Sequence, residues 1–407
     1  MRFSALRAPW YKGYLAGGSL GMGADHVEHA ITYWVIWQAF HSPLLAGFAV
    51  ISHWLPHLLF GVIFGGLADR YDCRRIVQVA QGLFMLASLG WAIVIITGTL
   101  QPWNAVLLLS LHGLASALWG PAEQMMLYDI VGPEDLPSAV RLMATGLNLG
   151  MLVGPLIGAA LLFTVGPAWG LLVNIALYLP FIIYLGIVPY TGHTRAGQTP
   201  RPRLTLRQTF GVLGEIPRYP SVLTVFILQG AVGLFIGTAL LPLLPDFGEL
   251  LGATGSGVGY GALIAAMSFG AVTAGVSLEA IGRIRATAGL AIVSTIVFAA
   301  SLIVFALSHN LVLSVAMLVI AGMGNLTSAS TSQAVVQLGA PADRRGRFLG
   351  AYSMTSMGLR LGSGVMRFRA VRDRGIPVAL GTDEAIADDA VDMWAVAKMT
   401  GLIHNIG

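Results

Sequence analysis

Eleven apolar stretches, each near the roughly 20 residues that a helix needs to cross a hydrocarbon core, govern what this chain can fold into. They run over about 14–40, 46–67, 76–98, 105–127, 142–164, 169–188, 221–244, 258–279, 286–307, 311–334 and 347–366. Of the 407 residues, 56% are hydrophobic and only 10% are charged, against about 25% charged in an ordinary soluble protein. The expectation is an all-α integral membrane protein whose first partner is the lipid bilayer. Its Lys and Arg residues lie in short clusters between the apolar runs, which is how topology is written, so no nucleic-acid partner is expected. The lone Cys73 allows no internal disulfide, and no cysteine spacing suits a metal; it reads as an incidental loop thiol. The basic start "MRFSALRAPWYKGYLAGG" runs into a long apolar segment without a small-residue cleavage site, and reads as the first membrane helix rather than a signal peptide.

The connection after the sixth stretch, "YTGHTRAGQTPRPRLTLRQTFGVLGEIPRYP", is the longest polar one among the spans and divides them into six and five. The implied organisation is a six-helix bundle over 1–188, a cytoplasmic linker over 189–220, a five-helix bundle over 221–366 and a tail over 367–407. With the N-terminus in the cytoplasm of a cell (inner) membrane, every Lys and Arg from Arg2 to Arg347 falls at a cytoplasmic end, as the positive-inside rule requires. The rule breaks after the eleventh stretch, where "RFRAVRDRG" emerges on the wrong face and no twelfth apolar run follows. Arg360, inside that last stretch, either pairs with an acid or weakens insertion.

Two stretches repeat at an offset of 210 residues: "GGLADRYDCRR" and "GVSLEAIGRIR" pair Gly65 with Gly275, Asp69 with Glu279 and Arg75 with Arg285. Parallel halves of this kind mark transporters. In the first copy, Asp69 can cap the positive end of a neighbouring helix while Arg70, Arg74 and Arg75 bind carboxylates or carbonyl ends; a solvated loop that only fixes topology is the alternative. This stretch resembles the G-x-L-A-D-R-x-G-R-R loop of the major facilitator superfamily, with Asp72 at the family's turn glycine and Cys73 at its next arginine. The resemblance implies a two-bundle transporter with a cytoplasmic latch in which Asp129 takes part, and Asp72 is expected to adopt the left-handed turn. "GLNLGMLVGPLIGAAL" carries Gly146, Gly150, Gly154, Pro155 and Gly158. Small residues at that spacing make a smooth face for another helix, and Pro155 allows a bend. Tight packing alone accounts for the pattern equally well. It also resembles the exporter-associated G-x-x-x-G-P-x-x-G motif of the superfamily, with Ala159 where a second glycine is usual. Together with "GPAEQMMLYDIVGPEDLPSAVR" the motifs resemble the macrolide- and siderophore-exporter branch over residues 14–366.

Ionisable groups within membrane spans are costly and thus candidates for function. Asp25, Glu28 and His29 share one turn of the first span, and His26 points partly away. Two acids so close repel when both are ionised, so the pair can hold protons and release them as a cationic substrate binds; a structural pairing with the histidines is the alternative. Glu123 in the fourth span is the next candidate, His112 reads as a hydrogen-bonded helix contact, and Asn148, Gln229 and Asn325 fit either a path or interhelical hydrogen bonds. The arginine that drug–proton antiporters of the superfamily often carry in the fourth helix has no counterpart here. The expected protein is a monomeric, proton-coupled exporter of an amphipathic, drug- or siderophore-like molecule, needing no cofactor. A facilitator or importer, or an inactive truncated fusion, are the alternatives.

The tail differs in kind: its last 41 residues hold 11 charged residues, against 31 in the preceding 366. "IPVALGTDEAIADDAVDMW" reads as a strand, a loop and a helix, and residues 370–407 resemble the end of a guanine- or triazine-type amidohydrolase barrel. The resemblance puts Asp383 at a metal-ligand position. No H-x-H pair occurs among the nine histidines and a barrel needs about 250 residues, so no metal site and no enzyme is expected. A polar fragment in place of the superfamily's twelfth helix is the implied reading.

Overall fold

A computed structural model describes residues 2–196, 205–237, 247, 251, 258–282 and 284–363. All regular structure among them is helical: α1 (Tyr11–Phe40), α2 (Pro43–Arg70), α3 (Cys73–Ile96), α4 (Pro102–Thr164), α5 (Pro167–Ile187), the short α6 (Leu206–Phe210), α7 (Pro220–Phe235), α8 (Val258–Ile281), α9 (Ala288–Leu307), α10 (Leu311–Gly339), α11 (Arg345–Ser353) and the single turn α12 (Arg360–Ser363). Among the described residues, six helices are long and apolar enough to cross a membrane, or seven if the sharply bent pair Leu206–Arg218 and Pro220–Phe235 forms one span. The tail beyond residue 363, Asp383 included, lies outside the described residues.

The 63 residues of α4 would reach about 95 Å as one rod, some three times the hydrocarbon thickness. The break lies at Gly132, whose φ of 77° and ψ of 173° leave the helical region at a conformation that suits only glycine. Pro133 follows, a residue preorganised to open a helix, and Glu134 and Asp135 favour the positive end of the second arm. The expected polar connection between the fourth and fifth spans therefore shrinks to one residue. Hydropathy falls across 128–141, but the backbone stays helical on both sides. Pro155 keeps helical dihedrals, and the backbone of α4 leaves the helical region at Gly132.

The glycines of the second arm lie against α1. A methyl group at Gly150 would come 2.8 Å from the Ser19 carbonyl oxygen; at Gly154, 2.6 Å from the Gly23 carbonyl; at Gly158, 2.9 Å from the Val27 carbonyl. Gly146 faces the Ser19 hydroxyl in the same row. Small side chains let two backbones approach to this distance, which brings the ionisable segment of α1 into the middle of the first bundle. Apolar packing closes around it through Ala24, Val27, Ile31, Phe84, Trp91 and Tyr178.

The last described segment is not one continuous α-helix. α11 gives way to a π-helical turn at Met354–Gly358 before α12, and Gly358 sits against Leu58 of α2. The expected eleventh span is thus interrupted where it meets the other half. Within it Arg360 lies 4.8 Å over the Trp54 ring, and its Nε donates to the Ser356 carbonyl at 3.3 Å.

Replacing Gly154 by Ala should destabilise the protein by about 1–3 kcal/mol, the usual cost of overpacking. The same change at Gly120, where a methyl would meet nothing within 4 Å, should leave it unchanged or slightly more stable. Thermal unfolding of the purified variants in detergent checks the contrast.

Candidate functional site

Five helices of the N-terminal half each send a polar group into one buried cluster. From α1 come Asp25, Glu28 and His29, only 4%, 1% and 6% exposed, one turn apart as helical spacing dictates. His112 of α4 stands between the two acids, its Nε2 2.8 Å from Asp25 Oδ1 and its Nδ1 2.8 Å from Glu28 Oε1. The Ser88 hydroxyl of α3 donates to the other Glu28 oxygen, and Asn174 of α5 donates to Ser88 at 3.3 Å. His53 of α2 completes the group, with its ring centroid 5.1 Å from that of His29 and 6.0 Å from that of His112. His26 stays at the edge, 3.2 Å from Asp25.

The structure brings Asp25, Glu28 and His29 together, and His112 makes the hydrogen-bonded helix contact expected of it, standing as the bridge between the two acids. His53 and His57 escaped the sequence reading altogether, because nothing in the α2 sequence says which face meets α1. His57 lies one turn beyond His53, with Nδ1 2.8 Å from Ser353 Oγ and Nε2 3.3 Å from Ser116 Oγ. One face of α2 thereby reaches both the cluster and the end of α11. Glu123 is buried, but it lies 11 residues beyond His112 on α4, about 16 Å along the axis. Its Oε1 makes no hydrogen bond among the described residues, so it forms a separate polar point. Asn148 bonds the Ala144 carbonyl of its own helix, and Gln229 donates across to Ser328 and Ser332 of α10.

At the arginine-rich end the two halves are fastened twice. Asp69, at the end of α2, accepts from the backbone N–H groups of Gly346 and Arg347 at 2.6 and 3.1 Å and from Arg347 Nε at 2.9 Å. It caps the first turn of α11 while pairing with a cation on it, two interactions that both favour a carboxylate there. Gly65 lies against Gly346, which lets the two backbones meet. The repeat-related Glu279 of α8 grips the second arm of α4 in the same manner. It takes Arg141 Nε at 2.8 Å and NH2 at 2.6 Å, and the Ser138 hydroxyl at 2.5 Å. Each half thus holds the other by the acid at the end of one helix. Arg345 adds a third link, stacking 3.6 Å over the Tyr128 ring of α4.

The remaining motif residues take other partners. Arg74 holds Asp72 at 2.7 Å and the Val188 carbonyl at the end of α5 at 2.7 Å; Arg75 donates to Gln78, and Arg70 lies over Tyr71. Asp72 does not adopt the expected left-handed turn: its φ is −60° and its side chain caps α3 by accepting from Arg74 N. Asp129 does not join the Asp69 clasp either. It accepts backbone N–H bonds from Gly192, Thr194 and Arg195, anchoring the linker. Cys73 is fully buried at the start of α3, so it is no loop thiol.

Two helical halves joined by paired acid clasps, with an ionisable cluster buried in the first, make a membrane transporter of the major facilitator type. Over residues 4–387 the chain matches the family of that superfamily described as "Transmembrane secretion effector", and it belongs to that family. This match runs past residue 366, where the sequence reading ended the transporter. The chain is 23% identical over 344 residues to the staphyloferrin A transporter of Staphylococcus aureus (strain NCTC 8325 / PS 47), covering 82% of each protein. It is 29% identical to a Na(+), Li(+), K(+)/H(+) antiporter of Planococcus maritimus over 30% of this chain and 28% of the relative. With the enterobactin exporter EntS of Escherichia coli O127:H6 (strain E2348/69 / EPEC) it shares 28% over 40% and 38%. It thus spans most of the first relative's length and well under half of the other two. Among solved structures, the human organic anion transporter MFSD10 (TETRAN) superposes with a TM-score of 0.69 at 12% identity, over 96% of this chain and 99% of that one. The family and these relatives are transporters and not enzymes.

Replacing Asp69 by Asn leaves Arg347 without its counter-ion, and Glu279→Gln does the same to Arg141. Each change should loosen the arginine-rich end. Spin labels at the exposed Tyr71 and Ile281, in a Cys73→Ser background, should give a distance distribution that broadens towards longer values in either variant.

Proposed function

We propose that the chain is a proton-coupled exporter of an amphipathic small molecule of drug- or siderophore-like chemistry, acting as a monomer in the cell (inner) membrane. The observation that carries this reading is the burial of two carboxylates one turn apart, among histidines, inside a membrane bundle. Such groups are expensive to hold in hydrocarbon, and their mutual repulsion suits an exchange of protons against a cationic or polar substrate. Relatives described as a staphyloferrin A transporter, an enterobactin exporter and a Na(+), Li(+), K(+)/H(+) antiporter support both the substrate class and the exchange.

In this reading the two arms of α4 are separate spans, giving six crossings before the linker and five after it. The arginine-rich end, with its clasps, faces the cytoplasm in keeping with the positive-inside rule. Alternating access then consists of opening the Asp69 and Glu279 clasps while the two halves rock about the midplane. Glu123 is a second point on the path, between the cluster and that end. On sequence alone, residues 370–407 are proposed to be an amidohydrolase-like fragment without a metal site. Deletion of 367–407 should then leave transport and thermal stability unchanged, and a loss of either places those residues in the transporter.

The function itself is tested in inverted membrane vesicles. Accumulation of a siderophore or cationic dye driven by an imposed proton gradient should fall by about tenfold or more in Asp25→Asn and Glu28→Gln, a change of about 1.4 kcal/mol per decade. Accumulation that is independent of the gradient, or unchanged in both variants, contradicts the proposal.

A further inference from the structure

The buried cluster has the composition of a metal site as well as of a proton site. One nitrogen each from His29, His53 and His112 lies within 4.8 Å of the others, and an oxygen of Asp25 lies as near to nitrogens of His26 and His29. Asp25 Oδ1, His29 Nδ1, His53 Nδ1 and His112 Nε2 are all buried, and none makes an aligned hydrogen bond among the described residues. Buried polar atoms without aligned hydrogen bonds are costly in an apolar bundle, and here three histidine nitrogens lie together with Asp25 beside two of them.

The spacing suits a shared ion. Two donors bound side by side at about 2.0–2.2 Å lie about 2.8–3.6 Å apart. His112 Nε2 is 2.8 Å from Asp25 Oδ1, and His29 Nδ1 is 3.5 Å from Asp25 Oδ2. Behind His112, Glu28 takes the other ring nitrogen at 2.8 Å and is itself held by Ser88 and Asn174. A carboxylate on the far nitrogen fixes the tautomer and ring angle of a metal-bound histidine. The charges also balance, since Asp25 and Glu28 together neutralise a divalent ion. Imidazole nitrogens favour zinc, cobalt, nickel or iron(II) over magnesium or calcium.

We propose that His29, His53, His112 and Asp25 form a binding site for a first-row divalent transition-metal ion inside the N-terminal bundle, with Glu28 orienting His112. The ion competes with protons for the same side chains, so the inference shares its location with the coupling site proposed above. Its test reads metal binding alone and keeps its meaning if transport fails.

The experiment titrates Co²⁺ into the purified, chelator-stripped full-length protein in detergent and follows visible d–d absorption. One Co²⁺ per chain should bind with these bands and be displaced by Zn²⁺. His112→Gln and His53→Gln should abolish the bands. Glu28→Gln should keep them with affinity about ten- to a hundredfold weaker, the effect of losing an orienting partner. His309→Gln, at the exposed start of α10, should change nothing. Elution as a single species without metal checks folding, and if His112→Gln fails it, the half-buried His53 carries the test. Absence of the bands in folded wild-type protein at saturating Co²⁺, or their persistence in folded His53→Gln, overturns the proposal.

Discussion

The bridge from Asp25 through His112 to Glu28 is the interaction on which the N-terminal bundle depends. Two carboxylates in an apolar helix demand partners, and removing one partner of a buried pair typically costs about 3–5 kcal/mol. The chain meets that demand with one group from each surrounding helix: His53 from α2, Ser88 from α3, His112 from α4 and Asn174 from α5. The register of every helix in this half is therefore tied to the same few atoms. The glycine row of α4 serves that arrangement, since α1 can present Asp25 and Glu28 inward only if another backbone lies close behind it.

Contacts from the same region reach the other half. α2 carries His53 to the cluster and, one turn on, His57 to Ser353, where α11 changes to a π-helical turn. Such turns mark places where a helix gives up regular bonding for local geometry. Trp54, between the two histidines, takes the Arg360 guanidinium on its face. At the far end of α2, Asp69 caps α11. A single helix thus touches the ionisable cluster, the π-helical turn and the clasp.

Much of the fold was legible in the sequence because hydropathy in a membrane is a strong constraint. The apolar stretches correspond to α1–α5 and α7–α10 within a few residues at most ends, and the 210-residue repeat pointed to Asp69 and Glu279, which prove to make matching clasps. The turn at Gly132 was harder, since hydropathy fell over fourteen residues while the backbone broke at one. The groups of the candidate site were legible only where they share a helix turn. Asp25, Glu28 and His29 declare themselves by spacing, but His53 and His112 are lone histidines on separate helices that only tertiary packing unites. Asp129 shows another limit: nothing in its motif says that three linker N–H groups bind its carboxylate.

The central claim is that the α1 carboxylates exchange protons for substrate. Proton release on substrate addition tests it most directly, measured with a pH-sensitive dye in weakly buffered detergent solution of the purified protein. The account predicts release on addition of a siderophore or cationic drug to wild-type protein, and none from the Asp25→Asn/Glu28→Gln double variant. Substrate binding to the wild type without release, or equal release from the double variant, would contradict it.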